Sequence, residues 1–245
     1  MTATVDLPAS ARNEATPDGA GRAAWMLAVL LALAAAQAFG VLASPPDRDM
    51  GHLQKIMYVH VPAAWSAFIA FGVVFVGSVL YLWKREERWD VLAAAAAEVA
   101  AVLTALTIAL GSIWGRPTWG VWWTWDPRLT STAILLVMIV GYLALRSFVE
   151  EPERRARWSA AVGILGAINV PIVYMSVRWW RTLHQFQSSP STVDAAYAWG
   201  LRVNAVAFLA VMIWLVRARY RTAMLERVPE REAEREALSG SEQHV

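Results

Sequence analysis

Residues 91–113 read VLAAAAAEVAAVLTALTIALGSI, and residues 114–130 continue as WGRPTWGVWWTWDPRLT. The first stretch carries a single charged side chain, that of Glu98. Because a helix of about 20 apolar residues crosses a hydrocarbon layer roughly 30 Å thick, this stretch predicts a membrane-spanning helix. The second stretch places five tryptophans within twelve residues, which predicts an aromatic loop at one end of that helix.

The same length argument finds five further spans before and after this one. The six predicted spans are Ala23–Leu42, Ala63–Trp83, Val91–Ile113, Leu129–Leu145, Ala160–Val177 and Ala198–Val216. The composition agrees, because 57% of the residues are hydrophobic and only 17% are charged, whereas soluble domains have about 25% charged residues. The predicted fold class is an all-α integral membrane protein with six transmembrane helices and a tryptophan-rich outer loop between helices 3 and 4.

The distribution of Lys and Arg predicts how the chain is oriented. Fifteen of the 22 basic residues lie in the two tails and in the loops at 84–88 and 146–157. Since basic loops stay in the cytoplasm, both termini are predicted to be cytoplasmic. The predicted organisation is a polar tail (1–22), a six-helix domain (23–216) with outer loops at about 43–62, 114–128 and 178–197, and a charged tail (217–245).

Several functional classes are disfavoured by the composition. With no cysteine, the chain has no disulfide, thiolate metal site or iron–sulfur ligand. The net charge of +2 argues against a nucleic-acid partner. An enzyme is disfavoured because no glycine-rich phosphate loop or Ser-His-Asp pattern is present. A solute permease is disfavoured because polar or helix-breaking residues near the midplane are scarce apart from Glu98 and Pro171. A carboxylate such as Glu98 is costly in a membrane unless it has a partner.

The tryptophan-rich loop is better explained as a binding platform than as an interfacial aromatic belt. A belt accounts for one or two tryptophans at each helix end, but not for five in a loop that also holds two glycines and two prolines. These breakers predict a folded loop rather than a continued helix. The predicted platform consists of Trp114, Trp119, Trp122, Trp123, Trp125 and Asp126. Asp126 could instead cap the next helix or pair with Arg128.

Two histidines from separate outer loops are candidate ligands. His60 precedes the second span, and His184 follows the fifth. Two neutral imidazoles beside an aromatic platform suit the two axial positions of a haem iron. His52 lies further into the first loop and is expected to be unliganded. The candidate partners for haem propionates are Lys55, Arg128, Arg178 and Arg181, which could equally pair with phospholipid headgroups.

The alternative function is that of an electron-transfer cytochrome b in the membrane. Such proteins usually hold haem between histidines inside the spans, at matching heights on facing helices. No histidine lies inside a predicted span, which disfavours this alternative.

The motif Trp-Gly-x-x-x-Trp-Gly-x-Trp-Trp-x-Trp-Asp-x-Arg-Leu-Thr at 114–130 resembles the WWD domain of haem-handling membrane proteins. Together with Met-Tyr-Val-His-Val-Pro at 57–62 and the six spans, it resembles the haem exporter protein C branch, which serves cytochrome c maturation. The related lyase branch typically continues after Trp-Asp-Pro with Val-Glu-Asn, whereas this chain continues with Arg128-Leu129-Thr130.

This resemblance implies a haem-delivery role in the cell inner membrane, not an enzyme. It implies haem b bound transiently at the outer face, with His60 and His184 as axial ligands and 114–126 as the platform. It also implies several partners. These are a periplasmic membrane-anchored haem chaperone, a small single-span accessory subunit and the subunits of an ATP-binding-cassette transporter, all at the lipid bilayer.

Overall fold

The computed structural model describes residues 19–186 and 193–227 and shows six long α-helices in those ranges. They are α1 (Gly19–Ala43), α2 (Met57–Lys84), α3 (Glu87–Trp119), α4 (Pro127–Phe148), α5 (Pro152–Trp179) and α6 (Ala195–Glu226). A short 3-10 helix (His52–Ile56) leads into α2. All six helices are long and apolar enough to cross a membrane, so the predicted all-α, six-span fold is confirmed.

Helix α2 lies at the centre of the bundle and packs against α3, α5 and α6. Helix α1 lies against α6, and α4 packs against α5 and α3. The α2–α3 contact is rich in alanine, with buried residues at Ala63, Ala67 and Ala70 of α2 and at Ala96, Ala97 and Ala100 of α3. Small side chains let helix backbones approach closely where no hydrophobic effect drives association. This contact fixes α2 and α3 relative to each other.

Side-chain amides tie the peripheral helices to the bundle. Asn204 of α6 is fully buried, and its Nδ2 donates to the carbonyl of Ala36 in α1 at 2.9 Å. Asn169 of α5 donates from Nδ2 to the carbonyl of Ser131 in α4 at 3.0 Å. Each bond gives the amide nitrogen a partner on a neighbouring helix, which lowers the cost of a polar group inside a membrane.

The helices extend beyond the predicted spans, which followed the apolar segments alone. Helix α6 continues to Glu226, past the predicted start of a charged tail at residue 217. On this extension, Arg219 donates from Nε to Glu98 Oε2 at 2.5 Å. The partner that Glu98 was expected to need is therefore an arginine on the extended end of α6. Most of the predicted tail at 1–22 lies outside the described residues, as do 228–245.

The predicted loop boundary at Trp114 also needs correction, because α3 continues through Gly115 and Pro117 to Trp119. A proline near a helix end removes only one late hydrogen bond, so it does not have to end the helix. The helix instead ends at Gly120, whose φ of 80° lies in the left-handed region. Its N–H donates to the Arg116 carbonyl at 3.0 Å, as is common at helix C-termini.

Candidate functional site

A cleft of about 1340 Å³, including its open mouth, lies at the end of the bundle that carries the tryptophan loop. The predicted site residues in its walls are His60, His184, Trp114, Trp119, Trp123 and Arg128. The structure thus brings together residues from α2, from α3 and the loop after it, from α4 and from the loop after α5. The walls also include Thr107 and Tyr174, which the sequence analysis missed. In the sequence, the only feature that points to these two residues is a polar group near the end of an apolar span.

His60 lies in the first turn of α2, not just before the helix as predicted. The helix begins early even though Pro62 lacks the N–H that would bond to the Tyr58 carbonyl. Gln37 of α1 takes its place and donates from Nε2 to that carbonyl at 3.2 Å. A neighbouring helix thus satisfies the carbonyl that the proline leaves free.

The His60 ring is buried against α3, where Gly111 leaves room for it. A Cβ atom at position 111 would lie 3.2 Å from His60 Cε1, closer than most real contacts. Within the described part of the chain, His60 Nδ1 is buried and has no hydrogen-bond partner. This nitrogen lies on the side of the ring that faces α3, where the backbone of Thr107 is its neighbour.

The loop that carries His184 is held by the carboxylate of Asp126. Asp126 accepts hydrogen bonds from the Thr182 hydroxyl and from the Leu183 N–H, both at 2.7 Å. It also accepts from the Arg128 N–H at 2.8 Å and so caps α4, which confirms the capping role considered above. One buried carboxylate therefore positions both the start of α4 and the His184 loop.

Among the described residues, the His184 imidazole has a hydrogen-bond partner for one of its two nitrogens. Its Nδ1 lies 2.8 Å from the Gln185 carbonyl oxygen. Because a carbonyl only accepts, the neutral ring donates from Nδ1 and keeps a lone pair on Nε2. Burial lowers the pKa of His184 below the ordinary 6.5, and the positive charge of Arg128 lowers it further, although the Gln185 bond and Asp126 oppose the shift. The ring is therefore neutral at pH 7.

The distance between the two imidazoles is compatible with a shared metal. Their ring centroids lie 6.4 Å apart with planes tilted by 31°. A metal–imidazole bond is about 2 Å long, so two imidazoles on one metal have centroids roughly 6 Å apart. No group of three His, Cys, Asp or Glu that could hold a metal occurs among the residues described. The pair therefore suits a metal that brings its remaining ligands with it, as a porphyrin does.

The placement of the histidines also bears on the cytochrome b alternative. His60 lies inside α2, so the premise that no histidine lies within a span is incorrect. His184, however, lies in the loop after α5. The two histidines therefore do not sit on facing helices, and the arrangement expected for that alternative does not form.

Three of the five predicted platform tryptophans line the cleft. Trp114 and Trp119 meet edge to face at 5.1 Å, and the Trp119 ring lies 6.5 Å from that of His184. Such edge-to-face pairs are favourable beyond the area they bury. Trp122 and Trp125 are 60% and 80% exposed and lie outside the cleft wall. The loop therefore presents two different aromatic surfaces.

Of the four predicted propionate partners, Arg128 alone lines the cleft. Its Nη1 donates to the carbonyl of Val173 in α5 at 2.9 Å. Lys55 lies outside the wall and donates to the Val41 carbonyl at 2.6 Å. Arg178 and Arg181 are exposed and also outside the wall, as is His52.

Comparison with known proteins gives one consistent family. A family model described as "Heme exporter protein C" matches residues 10–235. The "Heme exporter protein C" of Bradyrhizobium diazoefficiens is 40% identical over 207 residues, covering 83% of this chain and 79% of the relative. That of Escherichia coli K12 is 33% identical over 204 residues, covering 82% and 83%. That of Paracoccus denitrificans is 35% identical over 189 residues, covering 75% and 78%.

Proposed function

Because the chain belongs to the haem exporter protein C family, we propose that it binds and exports haem for cytochrome c maturation. It holds haem b as cargo in the cleft and delivers it to a periplasmic membrane-anchored haem chaperone. The observation that carries this proposal is the pair of imidazoles in one cleft, with ring centroids 6.4 Å apart. Haem is cargo rather than a catalyst, so the chain acts as a delivery component and not as an enzyme.

The residues of the cleft have different roles in binding the haem. His60 and His184 are the axial ligands of the iron, and Trp114, Trp119 and Trp123 form the apolar wall against the porphyrin. Arg128 supplies a guanidinium that pairs with one propionate, because Arg and carboxylate form strong charge-assisted bonds. Lys55, Arg178 and Arg181 serve the other propionate at the cleft mouth or bind headgroups.

The two ligands differ in how firmly they are held, and this suits a cargo that must leave. His60 is part of the first turn of a packed helix. His184 lies in a loop that is held by hydrogen bonds to the carboxylate of Asp126. His184 is therefore the ligand that is displaced when haem passes to the chaperone. A ligand shifts an equilibrium only through differential affinity, so the chaperone must bind better when His184 is released.

The exposed tryptophans form the docking surface for the chaperone. Trp122 and Trp125 lie beside the cleft but outside its wall, and large exposed aromatic side chains are typical of interaction sites. The orientation proposed from the basic loops puts this surface in the periplasm of the inner membrane. The transporter subunits and the single-span accessory subunit contact the remaining faces of the bundle.

The two-histidine site is tested by absorption spectra of the full chain, purified from haem-replete cells, beside His60→Ala, His184→Ala and His52→Ala. We expect a Soret band in the wild type and in His52→Ala, and a weakened or shifted band in the other two. The matched control is His52, which is exposed and outside the cleft. Four identical spectra, or a wild type without haem, would falsify the axial assignment.

Docking is tested with a photocrosslinking amino acid at position 122 or 125, in cells that express the chaperone. We expect both positions to capture the chaperone. Trp83 is the matched control, because it is 77% exposed but lies near the end of α2 far from His60. Capture from position 83 but not from 122 or 125 would contradict the docking surface.

A further inference from the structure

A second cavity, of about 680 Å³ including its open mouth, lies at the end of the bundle opposite the histidine cleft. It lies among α3, α4, α5 and α6, and the haem site makes no use of it. Its charged lining consists of two glutamates, Glu98 and Glu226, which both pair with Arg219, and of four arginines, namely Arg146, Arg155, Arg219 and Arg227. The apolar part of its wall is small and consists of Val91 and alanines. A porphyrin needs a large apolar slot, so this cavity suits a compact polar group.

Three of the four arginines are neutralised by acidic residues. Arg146 donates from Nη1 and Nη2 to the two carboxylate oxygens of Asp90, at 2.5 and 2.9 Å. The other pairs are Arg219 with Glu98 at 2.5 Å and Arg227 with Glu87 and Asp90. Each of these guanidinium groups thus has its counter-charge in place. A ligand would compete with existing bonds there.

Arg155 is different from its neighbours. Its Nε is buried, and within 19–186 and 193–227 it has no hydrogen-bond partner and no ion pair is seen for its side chain. On the same helix, Arg154 pairs with Glu151 at 3.3 Å and Arg157 with Glu153 at 3.6 Å. Among the described residues of this segment, Arg155 is therefore the arginine without an acidic partner.

Two physical effects make an unpaired cation costly at this position. A partly buried guanidinium loses hydration without gaining hydrogen bonds. Arg155 also lies in the first turn of α5, near the positive end of the helix dipole. An anion bound in the cavity would offset both costs, and a planar guanidinium binds a tetrahedral oxyanion through two parallel bonds.

We propose that this cavity binds one phosphate-type oxyanion on the Arg155 guanidinium. The phosphate belongs to an anionic phospholipid headgroup or to a free phosphate compound. The first source fits the position, because basic pockets between membrane helices near the cytoplasmic surface bind such headgroups. The Arg155→Gln variant keeps the cavity but lacks the two parallel N–H donors that would hold the anion.

The test uses the full purified chain in a neutral detergent, with native mass spectrometry to count bound lipid. The probes are phosphatidylglycerol and a diacylglycerol with the same acyl chains but no phosphate. We expect one phosphatidylglycerol per chain and about tenfold weaker retention in Arg155→Gln, since bonds to charged groups are the strong ones. The matched control is Arg154→Gln, which removes an exposed, locally paired arginine and should behave as wild type.

A calorimetric titration with inorganic phosphate distinguishes the two sources. Saturable phosphate binding that is lost in Arg155→Gln, with no preference for phosphatidylglycerol over diacylglycerol, identifies a free phosphate. If Arg155→Gln does not fold, Arg155→Lys keeps the charge but loses the fork, and it should bind more weakly than wild type. The proposal is overturned if the variants at position 155 bind phosphatidylglycerol and inorganic phosphate as well as Arg154→Gln does.

Discussion

At the scale of single residues, Asp126 connects the two halves of the histidine cleft. Its carboxylate caps α4 through Arg128 and accepts from Thr182 and Leu183. Since Asp126 is only 6% exposed, water replaces none of these bonds easily. The position of His184 therefore depends on a residue that lies outside the cleft wall.

Asp126→Asn should weaken haem retention, because the amide keeps one acceptor but loses the charge and the second. A hydrogen bond to a charged group contributes about 1.5–3 kcal/mol, so we expect roughly tenfold weaker haem affinity with a changed Soret band. The control is Asp194→Asn, because Asp194 also caps a helix through a backbone N–H but lies away from the cleft. Equal effects of the two variants would mean that Asp126 acts only as a cap.

The lowered pKa of His184 predicts how haem binding responds to pH. The free histidine must be neutral to bind iron, and its folded-state pKa lies below 6.5 mainly because it is buried. Binding should thus be complete at pH 7 and fall as the pH drops through that lowered value. A spectroscopic titration of the wild type should give a midpoint below pH 6.5. A midpoint above 6.5 would argue against His184 as the titrating ligand.

At the scale of helices, α1 supports the turn of α2 that carries His60. Pro62 leaves the Tyr58 carbonyl without its helical donor, and Gln37 supplies one from α1. A buried carbonyl left unpaired costs about 1–3 kcal/mol. Helix α1, at the edge of the bundle, therefore helps to hold the turn that carries His60 in place.

A double-mutant cycle measures this support. Gln37→Leu should lower the free energy of unfolding by about 1–3 kcal/mol, because the Tyr58 carbonyl loses its donor. In the Pro62→Ala background the same change should cost less, since residue 62 then donates its own N–H. Thermal unfolding of the four proteins in detergent gives the coupling energy. A cost that is the same in both backgrounds would show that Gln37 acts elsewhere.

The helices also show what could be predicted from sequence. The six spans follow from apolar length, and the tryptophan motif identified the family correctly. The ends of helices could not be predicted, because backbone hydrogen bonds continue where apolar composition stops, as at Pro117 and Arg219. The outward direction of Trp122 and Trp125 follows the turn at Gly120. It could not be predicted, because the loop is too short to show a repeating pattern of apolar and polar residues.

At the scale of the whole molecule, the two ends of the bundle have different chemistry. One end carries aromatic rings and neutral imidazoles, and the other carries paired charges around the second cavity. Among pairs at that end, Asp90 and Arg146 are 6% and 12% exposed at their side chains. Breaking a buried pair leaves an uncompensated charge, which makes such pairs costly to alter.

The absence of cysteine allows the proposed orientation to be measured without background. Asp49→Cys introduces a thiol near the histidine end, and Glu150→Cys introduces one at the opposite end; both sites are exposed. A membrane-impermeant maleimide should label position 49 in spheroplasts and position 150 only after lysis. The reverse pattern would invert the orientation and move the haem cleft to the cytoplasm.

The small number of protein ligands at the cleft has a consequence for metal selectivity. Free zinc or copper ions bind tightly only where three or four side chains surround them, and no such set occurs among the described residues. Two imidazoles alone leave a bare ion mostly hydrated and easily lost. A metal that arrives with four ring nitrogens already bound has only its two axial positions to fill. If the proposed two-histidine site holds haem, we therefore expect it to retain bare zinc or copper ions far more weakly than a metal that already carries its ring nitrogens.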